Sequence, residues 1–435
     1  LTRLPLVAHG IGGRLDLPVP LTYFIAGAAV VLIVSFVALA VLWKAPRLQS
    51  GPAYEPRTTG KVPMAWLGWI GVVALALAVM GGMAALIMGQ ESTGTRNIAP
   101  VLLWVYFWLV VPFAGIIFGN LYTGINPWRS LGKWLGVGET EKDGLGSIGI
   151  WPATIGLVAF AWLELVYPDG STPGTIATAA LVYTVAQLVL MARFGRETSL
   201  ASFDLFTPYN RLLSSISPWG RTDDGRLAYR GWLRSLPAIP EWKGLAPFLV
   251  AMIGTVSFDG MSNTAWYEAL TGEFGTTMLG KSILLPATCV VIGLAYFLAC
   301  AAAARVGDNP SLSAVTVATR FAHTLVPIAA AYAFAHYFTL VIFEGQSIIS
   351  AAADPFGLGW NLGGGRNYKI DFFLSAIPVW YVQVVTIVSG HVAGVILAHD
   401  RALADWKGVG AVRSQYAMLT LMVLLTGLGL LILAG

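Results

Sequence analysis

Residues 21–43, LTYFIAGAAVVLIVSFVALAVLW, carry no charge. As a helix they reach roughly 34 Å at the α-helical rise, enough to cross about 30 Å of hydrocarbon. The run is too long for the apolar core of a cleavable signal and a basic connection follows it, so it reads as a first membrane span. Similar runs lie near 64–88, 98–121, 148–167, 174–193, 245–268, 281–303, 313–342, 373–398 and 414–434. The prediction is an all-α fold, a polytopic transmembrane helix bundle of about ten spans, with residues 1–435 forming one integral membrane domain. Composition agrees: 56% of residues are hydrophobic and 11% charged, so the lipid bilayer is the main solvent and partner.

The net charge of +4 is small for 435 residues, and the basic residues sit in short connections, which argues against a nucleic-acid surface. Counted over alternate connections, nineteen Lys and Arg fall on one side and six on the other, with Arg320 inside a run. The positive-inside rule then puts both termini outside a cytoplasmic membrane. It makes 194–244 a cytoplasmic loop and 343–372 an external one. FDLFTPYNRLLSSISPWG (203–220) and YRGWLRSLPAIPEW (229–242) interleave Trp, Tyr, Leu and Arg, the composition of an interfacial segment, with docking of another membrane subunit as the alternative.

Cys289 and Cys300, the two cysteines, are separated by roughly 16 Å along one helix, too far for a disulfide. His9, in the external VAHGIGG, lies in a glycine turn that lacks nucleotide-site spacing. The sixth run contains Asp259, Gly260 and Asn263 and is expected to break at Asp259, whose neighbours would supply its hydrogen bonds.

Ionisable residues within spans are costly and so are candidates for function. The eighth run, TRFAHTLVPIAAAYAFAHYFTLVIFEGQ (319–346), supplies Arg320, His323, His336 and Glu344. The ninth, WYVQVVTIVSGHVAGVILAHDRAL (380–403), supplies Gln383, His391, His399 and Asp400. His323 and His391 reach similar depth on antiparallel neighbours. They can ligate haem b or a divalent metal ion, serve metal-free proton transfer, or pack as hydrogen-bonded histidines. Arg320, one turn below His323, is expected to raise the positive potential there. Gly390 and Gly394 admit either a close helix or a macrocycle. His336 and Asp259, with Glu344, form an outer set suited to a general base or a cation site.

AHGIGGRLDLPVPLTYFIAGA, INPWR, SFDG, FAHTLVPIAAAYAFAHYF, DPFGLGWNL and GHVAGVILAHDRAL together resemble a family of multi-pass actinobacterial membrane proteins labelled fenitrothion hydrolase. The resemblance spans nearly the whole chain. It implies hydrolysis of an organophosphate ester, for which the residue chemistry offers His336 and Asp259, joined by His323 or His391, as metal ligands or general base. The residues alone also admit a haem- or metal-binding redox subunit built on His323 and His391, and a transporter or accessory subunit of a larger membrane complex.

Reporter fusions after residues 60, 140, 230, 308 and 408 should all read cytoplasmic. A periplasmic signal from the fusion at 230 would overturn the orientation, because that loop carries the strongest charge bias.

Overall fold

The computed structural model describes residues 20–49, 57–61, 65–89, 97–141, 148–222 and 226–434, with backbone only for 57–61 and Ala65. His9 lies outside the described residues. A helix occupies each apolar run: α1 Leu21–Leu42, α2 Trp66–Ile87, α3 Ile98–Phe118, α4 Trp151–Leu165, α5 Pro173–Phe194, α6 Leu245–Met261, α7 Met278–Val306, α8 Ala314–Ile342, α9 Ala376–Asp405 and α10 Gly408–Ala434. Helices are what hydrocarbon selects, because they satisfy every backbone group within one segment. Polar side chains start three of them: Asn97 Oδ1 accepts from the Ala99 N–H, Thr277 Oγ1 from the Gly280 N–H and Ser313 Oγ from the Thr316 N–H, filling amides that the first turn leaves open.

Among the described residues eight helices are long and apolar enough to cross a membrane, or nine if the bent α6 with Ala265–Thr276 counts as one span. The protein is therefore an all-α polytopic membrane protein. The fourth run is the exception. Its 15-residue helix reaches only about 22 Å, short of the hydrocarbon thickness.

The chain divides into two compact units: Leu1–Pro56, Arg230–Phe338 and Leu374–Gly435 in the first, Arg57–Tyr229 and Thr339–Phe373 in the second. In the first unit α1 packs on α9 and α10, α6 on α7, and α7 on α10 and the start of α8. In the second, α2 packs on α5, and the amphipathic helix Phe206–Ser214 on the end of α3. The second unit also holds an antiparallel sheet, β1 Arg57–Lys61, β2 Trp219–Arg221 and β3 Arg226–Tyr229, in the order β1-β3-β2. Within α3, Val101–Val110 is wound as a π-helix, and Trp108 stacks on Tyr209 with ring centres 4.6 Å apart.

Two irregularities shape the first unit. In α8 the chain tightens to a 3-10 turn over Ala322–Leu325. Pro327 has no N–H to offer the His323 carbonyl and its ring crowds that oxygen, and the Val326 N–H bonds it instead. The sixth run is broken as expected, but past Asp259: α6 runs through Asp259 to Met261, and the 94° bend comes in the gap before Ala265. Ser262 Oγ and Asn263 Nδ2 donate to the Asp259 backbone carbonyl at 3.0 and 2.8 Å. The polar neighbours thus close the helix end and leave the carboxylate to other partners.

α9 lies directly against α8. A Cβ on Gly390 would come 2.2 Å from the Ala331 Cβ and 2.7 Å from the Pro327 carbonyl oxygen, and one on Gly394 would come 3.1 Å from the Thr324 carbonyl oxygen. Helix packing fills this glycine stripe, leaving no room for a macrocycle at that face. Gly390→Leu should cost about 1–3 kcal/mol through overpacking, read as a lowered unfolding temperature in detergent. Gly27→Ala, with nothing within 4 Å of the new Cβ, is the neutral control. Equal melting of the two variants would refute the close contact.

Candidate functional site

The first unit brings His336 and Asp259 together. His336 Nε2 lies 2.9 Å from Asp259 Oδ2, and the Tyr337 hydroxyl donates to the same oxygen at 2.9 Å. Asp259 is 2% exposed and His336 6%. Gly260 makes room for the ring, since a Cβ there would sit 3.2 Å from His336 Cε1 and 2.2 Å from the Ile432 side chain. A buried carboxylate facing an imidazole across one hydrogen bond can hold a proton and pass it between oxygen and nitrogen. Glu344, grouped with this pair on the sequence, belongs to the second unit.

His323 and His391 share a different pattern. His323 Nδ1 lies 2.9 Å from the Arg320 carbonyl oxygen and His391 Nδ1 2.9 Å from the Ile387 carbonyl oxygen. Each Nδ1–H is thereby tied to its own helix, and each Nε2, buried, has no protein partner. This tautomer presents the Nε2 lone pair, the form that a metal or haem iron takes from histidine. Among the described residues no group of three or more His, Cys, Asp or Glu side chains can hold a metal ion.

Arg320 does not leave an open positive charge beside His323. It pairs with Asp405 at 2.9 Å, and Arg401 reaches the same carboxylate at 3.2 Å. Glu241 lies 3.8 Å from Arg320 and 3.6 Å from Arg401. His399 is occupied on both sides, by Gln415 Oε1 and by the Trp43 carbonyl oxygen, each at 2.9 Å. Asp400 is fully buried and accepts from Trp43 Nε1 and from the backbone amides of Arg47, Leu48 and Gln49. It clamps the segment that leaves α1.

Sequence reasoning missed Asp204. This fully buried carboxylate in the second unit accepts from the hydroxyls of Tyr122, Tyr183 and Thr207, the Asn126 amide and the Phe206 backbone N–H. Burial pushes its carboxyl above the ordinary value, while the Thr207, Tyr183, Phe206 and Tyr122 donors pull the other way. The available signal was its place in FDLFTP beside INPWR, two motifs that the notion of an interfacial loop treats only as composition.

Searches with the sequence and the fold find no match among family models, curated proteins or solved structures.

Asp204→Ala should destabilise the protein on the order of 3 kcal/mol, because several buried donors lose their acceptor. An unfolding midpoint equal to that of the parent protein would show that the cage carries no stability.

Proposed function

We propose that the chain is a proton-transfer protein of the cytoplasmic membrane, working through the Asp259–His336 pair. The observation that carries this is the 2.9 Å contact between a buried carboxylate and a buried imidazole. Tyr337 holds the same carboxylate oxygen and so fixes the lone pair that faces the imidazole. A proton arriving at His336 moves along the hydrogen bond to Asp259, and its departure resets the pair. Such intramembrane His and carboxylate relays are what proton-coupled membrane proteins use. The charge bias of the connections supports an orientation with both termini outside.

A second reading follows from the resemblance to the family labelled fenitrothion hydrolase, and the same contact favours it. A carboxylate that orients a histidine is the arrangement that activates water. His336 would take a proton from water, the water oxygen would bond to phosphorus, and the aryl oxygen would leave with its electron pair as a phenolate.

The two readings separate experimentally. In polarised liposomes holding a pH-sensitive dye, the wild-type chain should pass protons, and Asp259→Asn and His336→Phe should each slow this by about 100-fold or more. Equal rates in wild type and Asp259→Asn overturn the proton-transfer reading. Release of nitrophenolate from fenitrothion by wild type but not by these variants would establish the hydrolase instead.

A further inference from the structure

Several buried side-chain atoms on α8 and α9 of the first unit have no protein partner: Tyr332 Oη, Gln383 Oε1, His391 Nε2 and His323 Nε2. Burying such atoms without a hydrogen bond is costly, and each one calls for an explanation. The tyrosine hydroxyl lies near Ser257 and Asp259.

Contacts between the two helices order these atoms by depth. Gln383 Nε2 donates to the Ala335 carbonyl at 2.8 Å, which puts Gln383 one residue from the His336 level. Tyr332 and Ile387 meet the same glycine, Gly429, with ring and side-chain carbons each 3.6 Å from its Cβ position. Gly390 abuts Pro327 and Ala331, and Gly394 abuts Thr324 and Ile328, so His391 comes next and His323 after it. One further turn along lies Arg320, paired with Asp405. Successive levels are thus about one helical turn apart, roughly 5–6 Å.

Chemistry identifies the missing partner. Gln383 Oε1 is an acceptor, and so are the two imidazole Nε2 atoms, because their Nδ1–H groups are committed to backbone carbonyls. Acceptors cannot satisfy one another. What suits all of them in series is a small molecule that donates twice and accepts in return, which is water.

We propose that a file of buried waters runs along α8 and α9 and joins the Asp259–His336 pair to the Arg320–Asp405 end of the unit, with Gln383, Tyr332, His391 and His323 as its successive anchors. The proposal rests on the proton-transfer reading. A proton entering at one end displaces the next along the file. Each imidazole takes a proton and returns it at Nε2, since its Nδ1 stays on the helix backbone.

X-ray hydroxyl-radical labelling of the full chain in oxygen-18 water reads bound water without reference to activity. Tyr332 should label quickly despite its burial, while Tyr296, equally buried and bonded to the Ala318 carbonyl, stays protected. His323 and His391 should label with Tyr332. Labelling of Tyr332 no faster than Tyr296 overturns the file, even if Asp259→Asn still abolishes proton flux. Labelling as expected with flux indifferent to Asp259→Asn instead faults the proton-transfer reading and leaves the waters in place. Tyr332→Phe removes one hydroxyl at constant shape and should slow flux about tenfold, the loss of one hydrogen bond in the path. A visible haem spectrum or bound metal that disappears in both His323→Leu and His391→Leu would place a ligand on these nitrogens and overturn the proposal.

Discussion

A polar group in hydrocarbon has no water to fall back on, and that constraint governs this protein down to single atoms. It selects helices for the spans, closes the α6 end with Ser262 and Asn263, and turns α8 into a 3-10 segment where Pro327 withholds an amide. It also determines how the chain treats its buried carboxylates. Asp204 is held by hydroxyl and amide donors, Asp400 by an indole and three backbone amides, and Asp259 by a histidine and a tyrosine.

The partner, not the carboxylate, separates structure from chemistry in these cases. Backbone amides, asparagine and threonine do not exchange protons near neutral pH, so Asp204 and Asp400 act as fixed anchors for the chain around them. The imidazole of His336 is a side chain that can both accept and release a proton at a ring nitrogen. Asp259 therefore sits in the one of these settings where the proton has somewhere to go.

Most of the helical framework was readable in the sequence because the apolar runs are long and the bilayer thickness sets their length. The pairing of Asp259 with His336 was approachable by the same route, since helical rise and alternating direction place both near the outer side. Other features escaped for identifiable reasons. The sheet pairs RTTGK at 57–61 with a segment more than 150 residues away, and strands this short carry no usable periodicity. The charge of Arg320 looked open because Asp405, its partner, lies at the end of another helix. The Asp204 cage gathers donors from three separated segments, and no local pattern announces it.

α8 shows how one local constraint sets a functional geometry. Pro327 forces the 3-10 turn that contains His323, and His323 Nδ1 bonds the Arg320 carbonyl three residues back. In the regular helix α9 the bond of His391 runs four residues back, to Ile387. Both bonds fix the same tautomer despite the different winding, because either carbonyl is within reach of the ring nitrogen. With the protons committed to the backbone, both Nε2 atoms must find their donors outside the helices. A histidine in which both nitrogens are occupied, as in His399, makes no such demand. The difference between an anchoring imidazole and a chemically available one is thus decided by where the helix leaves its carbonyls.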